Sequence, residues 1–185
     1  MLFINYIPTE LKESYIHKKL ITKLQNIKTI SSLMLYGIPG TGKYILSQLI
    51  LINIFGTDIT KTKKILLHKT KQKIIYCSNY HYEIYLTHTG INQSDFTTFL
   101  CEISVNKNIF IILNNIVLIK NTEYLNKENI MFIKKMIEKK KLIFILLSSK
   151  YLNTFSECMC IRVPIIDKVE LNSLLNVIIE NENIN

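Results

Sequence analysis

The feature that most constrains this chain is Gly37-Ile38-Pro39-Gly40-Thr41-Gly42-Lys43. An apolar run, Leu33-Met-Leu-Tyr36, precedes it, and an apolar-periodic segment from Ile45 to Phe55 follows at once. A strand, a glycine-rich turn and a helix in that order turn G-x-x-x-x-G-K from a string match into a phosphate cradle. Glycine lets the backbone point its N–H groups inward where a Cβ would clash. Those groups and the helix N-terminus behind them make a pocket for anions. Lys43 adds a point charge over the β- and γ-phosphates. The stretch from Gly37 to Tyr44 is therefore the candidate nucleotide-binding set, with ATP or ADP as its ligand. Tyr44 departs from the pattern. The motif has Ser or Thr there, whose hydroxyl holds Mg²⁺, and a phenol oxygen at the end of a ring cannot take that place. Mg²⁺ dependence is thus not expected to be ordinary. A bare Gly/Pro turn is the bland alternative, and the flanking strand and helix argue against it.

With 185 residues, 48% of them hydrophobic, the chain can bury one ordinary core. The net charge of +9 is carried almost wholly by lysine, since Arg162 is the single arginine. Alanine and tryptophan are missing while Ile, Lys and Asn abound, the look of AT-rich codon bias. Lysine then fills solvated positions by default, which weakens the charge argument. The excess still favours polyanions, so DNA contact through the lysine-rich surface is one expectation. Apolar runs are too short for a membrane span, and the longest, Ile109 to Ile119, carries Asn114 and Asn115. No basic segment followed by a long apolar one opens the chain, so secretion is not expected and an intracellular site is. Cys77, Cys101, Cys158 and Cys160 form no C-x-x-C pair and read as buried reduced thiols, with no metal site.

Along the chain, Pro8, Glu10 and Glu13 suit a helix start, followed by an apolar stripe through Ile16, Leu20, Leu24 and Ile27. His17 reads as a surface residue. Lys61 to Lys73 is a basic stretch around Ile65-Leu-Leu67, read as a solvated hairpin. Ile74 to Leu86 is strongly β in character. Asp95 to Ile103 reads as a helix, Phe110 to Leu113 as a buried strand, and Thr122 to Lys141 as a helix. Leu142 to Leu147 is a buried strand closed by Ser148-Ser149, and Met159 to Val163 a last one. Asp167 caps a final helix through Leu171, Leu174, Leu175 and Ile178. Strands alternating with helices predict an α/β fold of the P-loop NTPase type, a five-stranded parallel sheet flanked by helices.

The order of these motifs resembles the small subunits of the replication factor C clamp loader, which are AAA+ ATPases. Pro8-x-x-Leu11-x-Glu13 with His17 and Leu20 is similar to the family's entry segment, with Ile7 in place of an arginine. Leu33 to Lys43 is similar to its Walker A loop. Ser78-Asn-Tyr-His81-Tyr-Glu-Ile84 resembles the S-N-Y-H-x-E strand of one of its less catalytic branches, and is the most specific match. Ser156-Glu157-Cys158, then Arg162-Val-Pro164, stands where the family has S-R-C and a strand ending in V-P. The resemblance covers nearly the whole chain. It implies an AAA+ core over residues 1–165 and the start of a helical lid or C-terminal helix over 166–185. The family's collar is not reached, as in a truncated paralogue or a chain that meets partners through its core alone.

The resemblance also marks departures. Asn114-Asn115 follow Leu113 where the family's Walker B strand ends in Asp-Glu, which hold Mg²⁺ and polarise water. Ser148-Ser149 stand for the sensor 1 asparagine, and Glu157 for an arginine that reaches a neighbour's ATP. Four changed positions around the metal and γ-phosphate imply a core that binds nucleotide without efficient hydrolysis, so no catalytic residue is assigned. The implied partners are other clamp-loader subunits and a sliding clamp, in the nucleus or at a cytoplasmic replication site, with no membrane. The rivals are a small P-loop nucleoside or nucleotide kinase, against which a single arginine argues, and a P-loop-derived scaffold without nucleotide.

Overall fold

Short β-rich runs separated by helices assemble into three layers, helices covering both faces of one sheet. A computed structural model describes residues 14, 16–27, 31–56, 59, 63–66, 74–86, 93–105 and 116–182. In chain order the elements are α1 (Lys18–Leu24), β1 (Leu33–Tyr36), α2 (Lys43–Phe55), β2 (Lys63–Leu66), β3 (Ile74–Cys77) and β4 (His81–Tyr85). There follow α3 (Gln93–Val105), β5 (Ile116–Lys120), α4 (Lys127–Glu138), β6 (Ile143–Ser148), β7 (Met159–Arg162) and α5 (Lys168–Glu182). The strands β4-β5-β6-β1-β7 lie side by side and parallel. The expected five-stranded parallel sheet is thus present, and β2 and β3 extend it past β4 as an antiparallel edge. That edge arises because the Ile74 to Leu86 stretch folds back on itself. Ser78 Oγ accepts the N–H groups of Tyr80 and His81, each at 3.1 Å, and so closes the turn.

Strict alternation sorts the strand residues onto two faces. Met34, Val117, Ile119, Phe144 and Leu146 pack with α3 and α4 on one face. Leu33, Leu35, Ile116, Leu118, Ile145 and Leu147 pack with α1 and α2 on the other. α2 is apolar nearly all round and buries Leu46, Leu49, Ile50 and Leu51, which makes it a core helix. Helix α4 is shorter than the Thr122 to Lys141 span expected. Thr122–Tyr124 forms a separate 3₁₀ turn, and α4 starts after Asn126, whose side chain accepts the Asn129 N–H at 2.8 Å.

Other expectations are corrected or fall elsewhere. Pro8 to Glu13, most of the Lys61 to Lys73 stretch, Phe110 to Leu113, and both Asn114 and Asn115 lie outside the described residues. The strand at the sheet's centre is Ile116–Lys120. All four cysteines are free thiols, but only Cys158 is buried and Cys101 is exposed. Burial pushes the Cys158 thiol up to about 12. α5 begins after Asp167, whose carboxylate accepts the Val169 N–H at 3.4 Å. Among the described residues, no helix is long and apolar enough to cross a membrane.

Candidate functional site

The loop between β1 and α2 curls at the sheet's C-terminal edge, where parallel α/β sheets place their ligands. Gly42, with φ of 80°, precedes the first turn of α2, and Gly40, with φ of 82°, lies in the same left-handed region. Gly37 is required for a different reason: a Cβ there would stand 2.3 Å from the Val163 carbonyl oxygen. Lys43 folds back inside the curl, its Nζ donating to the carbonyls of Gly37 at 2.6 Å and Ile38 at 2.7 Å. Burial lowers the Lys43 pKa from its ordinary value, and Glu123 opposes the shift. Thr41 is buried and its Oγ1 donates to the Ile38 carbonyl at 3.0 Å. Pro39, Gly40, Gly42, Lys43 and Tyr44 border an open cleft of roughly 490 Å³.

His17 is not the surface residue expected from sequence. It is buried, and its Nε2 donates to the Thr41 carbonyl at 2.7 Å, bracing the loop from behind. Its own backbone N–H and that of Lys18 go to the Glu170 carboxylate of α5, at 2.8 and 3.2 Å. One residue thus joins the cradle to α1 and to α5.

A buried polar island occupies the α2 side of the sheet beside the cradle. On β4, His81, Glu83 and Tyr85 alternate onto that face, and on β5 Lys120 does, directly opposite Tyr85 in the register. Glu83 is 2% exposed and meets four donor side chains. Gln48 Nε2 reaches it at 2.7 Å, His81 Nε2 at 3.0 Å, the Tyr44 hydroxyl at 3.2 and 3.3 Å, and Lys120 Nζ at 3.3 Å. His81 is oriented in turn by Ser78 Oγ at 2.7 Å from Nδ1. The S-N-Y-H-x-E stretch therefore has a physical role: its turn serine sets the histidine that holds the glutamate. Burial works against the Glu83 charge, but His81 and Lys120 outweigh it and keep the carboxyl below its usual range. Burial lowers Lys120 to about 8 against the pull of Glu83. Burial and Glu83 push the Tyr44 phenol up.

Lys120 and Asn121, ending the central strand and lining the cleft, are the residues the sequence reading missed, having placed that strand end at Asn114 and Asn115. Glu123 was also missed; it lines the cleft and accepts the Ser149 N–H at 3.2 Å. Ser148 and Ser149 do border the cleft, and the Ser148 carbonyl accepts the Gly37 N–H at 3.2 Å. Glu157 is remote from this set and pairs with Lys134 of α4 at 3.3 Å.

P-loops ordinarily give a divalent cation a hydroxyl after the lysine and a carboxylate at the strand end. Here those places carry a phenol turned onto Glu83 and an ammonium, which repels a cation and has no lone pair to offer one. The residues do not fit a metal. Among the described residues no group of three or more His, Cys, Asp or Glu is arranged to hold one either.

No family model matches the sequence. No curated protein sequence matches it either. Solved structures do. The Thermotoga maritima RuvB Holliday junction branch migration motor superposes with a TM-score of 0.63 at 14% identity, over 96% of this chain and 55% of that one. Caenorhabditis elegans PCH-2 gives a TM-score of 0.46 at 14% identity, over 97% of this chain and 46% of that one. The chain thus spans about half the length of these structures. Together with the mostly parallel sheet, the RuvB likeness shows the fold alone: an α/β core with a mostly parallel sheet flanked by helices.

Proposed function

We propose that this chain binds ATP or ADP without efficient hydrolysis and serves as a clamp-loader-like subunit in a DNA-replication assembly. The observation that carries the nucleotide reading is the cradle itself. Gly40 and Gly42 hold left-handed turns at the start of a buried helix, with Lys43 folded inside the curl. The loss of turnover follows from the strand end beside it, where Lys120 and Asn121 stand in place of carboxylates and the Glu123 carboxylate of the cleft is taken up by the Ser149 N–H. The place in replication rests on the likeness of Gly37 to Lys43, Ser78 to Ile84 and Ser156 to Pro164 to clamp-loader small subunits. Other clamp-loader subunits and a sliding clamp are then its partners, with DNA met through lysines, in the nucleus or at a cytoplasmic replication site.

A second reading, a P-loop-derived scaffold without nucleotide, is favoured by one observation. The Lys43 ammonium is already satisfied by two carbonyls of its own loop. Mass spectrometry of nucleotide released from the purified chain, with a phosphate-release assay, separates the two. Bound ADP or ATP with background turnover supports the proposal, and steady turnover overturns its hydrolysis-deficient part. Purification from the native source tests the assembly: absence of clamp and clamp-loader subunits would remove the replication role.

A further inference from the structure

In hydrolysing P-loop proteins a divalent cation sits between the phosphates, the hydroxyl after the lysine and the carboxylate at the strand end. In this chain protein charge fills that region. The Lys120 Nζ lies 3.1 Å from the centroid of the Tyr44 ring and 3.7 Å from that of Tyr85. It donates to the Tyr85 hydroxyl and pairs with Glu83 Oε2 at 3.3 Å. An ammonium has three donors; Glu83 and the Tyr85 hydroxyl accept from it and the Tyr44 ring face lies against it, at the border of the cleft that Lys120 and Lys43 both line. Two aromatic faces and a carboxylate hold the cation at the wall, as cation–π and ionic contacts do. A leucine or methionine at position 120 would satisfy this face of the sheet at no desolvation cost, since Ile116 and Leu118 on the same face are wholly buried.

We propose that the Lys120 ammonium stands in for the metal ion, so that the cleft takes nucleotide phosphates free of divalent cation, between Lys43 and Lys120. This rests on the nucleotide-binding reading above. A purely structural ion pair, tying α2 to β4 and β5, would alter stability when removed but would not set the metal dependence of binding.

The test is isothermal titration of the full chain with ADP and with ATP, each in excess Mg²⁺ and in EDTA. Affinity in EDTA is expected to equal or exceed that in Mg²⁺, within about threefold. Lys120→Met should weaken binding in EDTA by roughly tenfold or more. Because that change leaves Glu83 buried without its cation, the paired variant Lys120→Met with Glu83→Gln repeats the measurement with no stranded charge. Tyr44→Thr combined with Lys120→Asp should make Mg²⁺ strengthen binding by about tenfold. Binding by the unaltered chain that strengthens about tenfold or more with Mg²⁺ would overturn the inference. Undiminished binding in both Lys120→Met variants would do the same. If neither nucleotide binds in either buffer, the nucleotide reading itself falls and takes this inference with it, an outcome distinct from metal-dependent binding.

Discussion

At the scale of single residues, Gly37 and Glu123 make opposite demands on the cradle. Alanine at 37 would put its Cβ 2.3 Å from the Val163 carbonyl oxygen, backbone that cannot swing aside as a side chain would. The loop must then part from β7 or change its own path. Gly37→Ala should therefore destabilise the chain by about 1–3 kcal/mol, the usual cost of a forced backbone conformation, and should abolish nucleotide binding. Chemical denaturation and a fluorescent-nucleotide titration check both, and a stable variant with full affinity would show that the loop is not held as described. Glu123 lies at the far side of the same cleft, its carboxylate fixed by the Ser149 N–H. Burial works against its charge, and the hydrogen bonds from Ser149 and the backbone keep it ionised. A fixed anion beside the cradle opposes each added phosphate. Glu123→Gln should tighten ATP by several-fold, on the order of 1 kcal/mol, and ADP by less. Equal effects on both nucleotides, or none, in a competition titration would show that Glu123 does not face the third phosphate.

Elements bring these residues together, and here the sequence was legible in some places and opaque in others. The loop from Gly37 to Lys43 is local, its glycines and lysine adjacent in the chain, so spacing alone located it. The central strand was another matter. Ile109 to Ile119 is longer than one strand, and apolarity alone cannot say where within such a run pairing begins. Phe110 to Leu113 is the more uniform choice, whereas the pairing with β4 and β6 lies at Ile116–Lys120 and puts Lys120 beside the cradle. Lys120, Glu83 and Tyr44 come from three elements, and no periodicity in one segment announces a meeting among three. His17 escaped for the same reason, since its partner Thr41 belongs to another element. His17→Ala removes the only described donor to the Thr41 carbonyl while leaving the backbone link to Glu170. It should weaken nucleotide binding by roughly three- to tenfold and speed amide exchange in residues 38–42; unchanged exchange would show that the brace is idle. The β4–β5 island predicts a pH signature. Burial holds the Lys120 pKa down to about 8 in the folded chain, against the ordinary 10.5 when unfolded. Between those values the unfolded chain holds the extra proton, so this group's contribution to stability rises with pH. Below about 8 both states are charged and the cost of burying the ammonium is fully present. Nucleotide affinity runs the other way, falling as pH passes through about 8 and the ammonium discharges. Tyr85, pushed up to about 12 by burial and Glu83, stays neutral in this window, and Glu83 stays ionised. Lys43, also lowered, adds to the fall in affinity, so the comparison with Lys120→Met isolates the contribution of Lys120. A difference between the two proteins that does not vary from pH 7 to 10 would contradict this account.

At the scale of the whole molecule, the parallel sheet separates two ends that sequence alone could not order in space. The cradle leaves the C-terminal end of β1, while Glu157 precedes the N-terminal end of β7, and Leu33 pairs with Met159 at that same end. Four residues of strand, about 13 Å, lie between them, so Glu157 cannot act on the nucleotide of its own chain. Whatever it does to a phosphate it does to another molecule's. Its carboxylate is exposed and drawn along the chain's own surface to Lys134 of α4 at 3.3 Å. A backbone hydrogen bond and Lys134 hold it ionised below the usual carboxylate range. A face that presents this pair offers a neighbouring triphosphate no net positive charge, whereas an arginine supplied from outside is worth roughly three to five decades in rate in GTPase systems. We therefore expect this end of the molecule to be a free end of the assembly, with no nucleotide site docked against it. Glu157→Arg, mixed with the clamp-loader subunits proposed as partners, should leave their ATP turnover unchanged, and should leave this chain's own nucleotide affinity unchanged as well. Glu157→Gln controls for the lost pair with Lys134. A rise in turnover with arginine and not with glutamine would place a neighbour's phosphates against this end and overturn the free-end assignment, while the cradle at the opposite end of the sheet would stand as described.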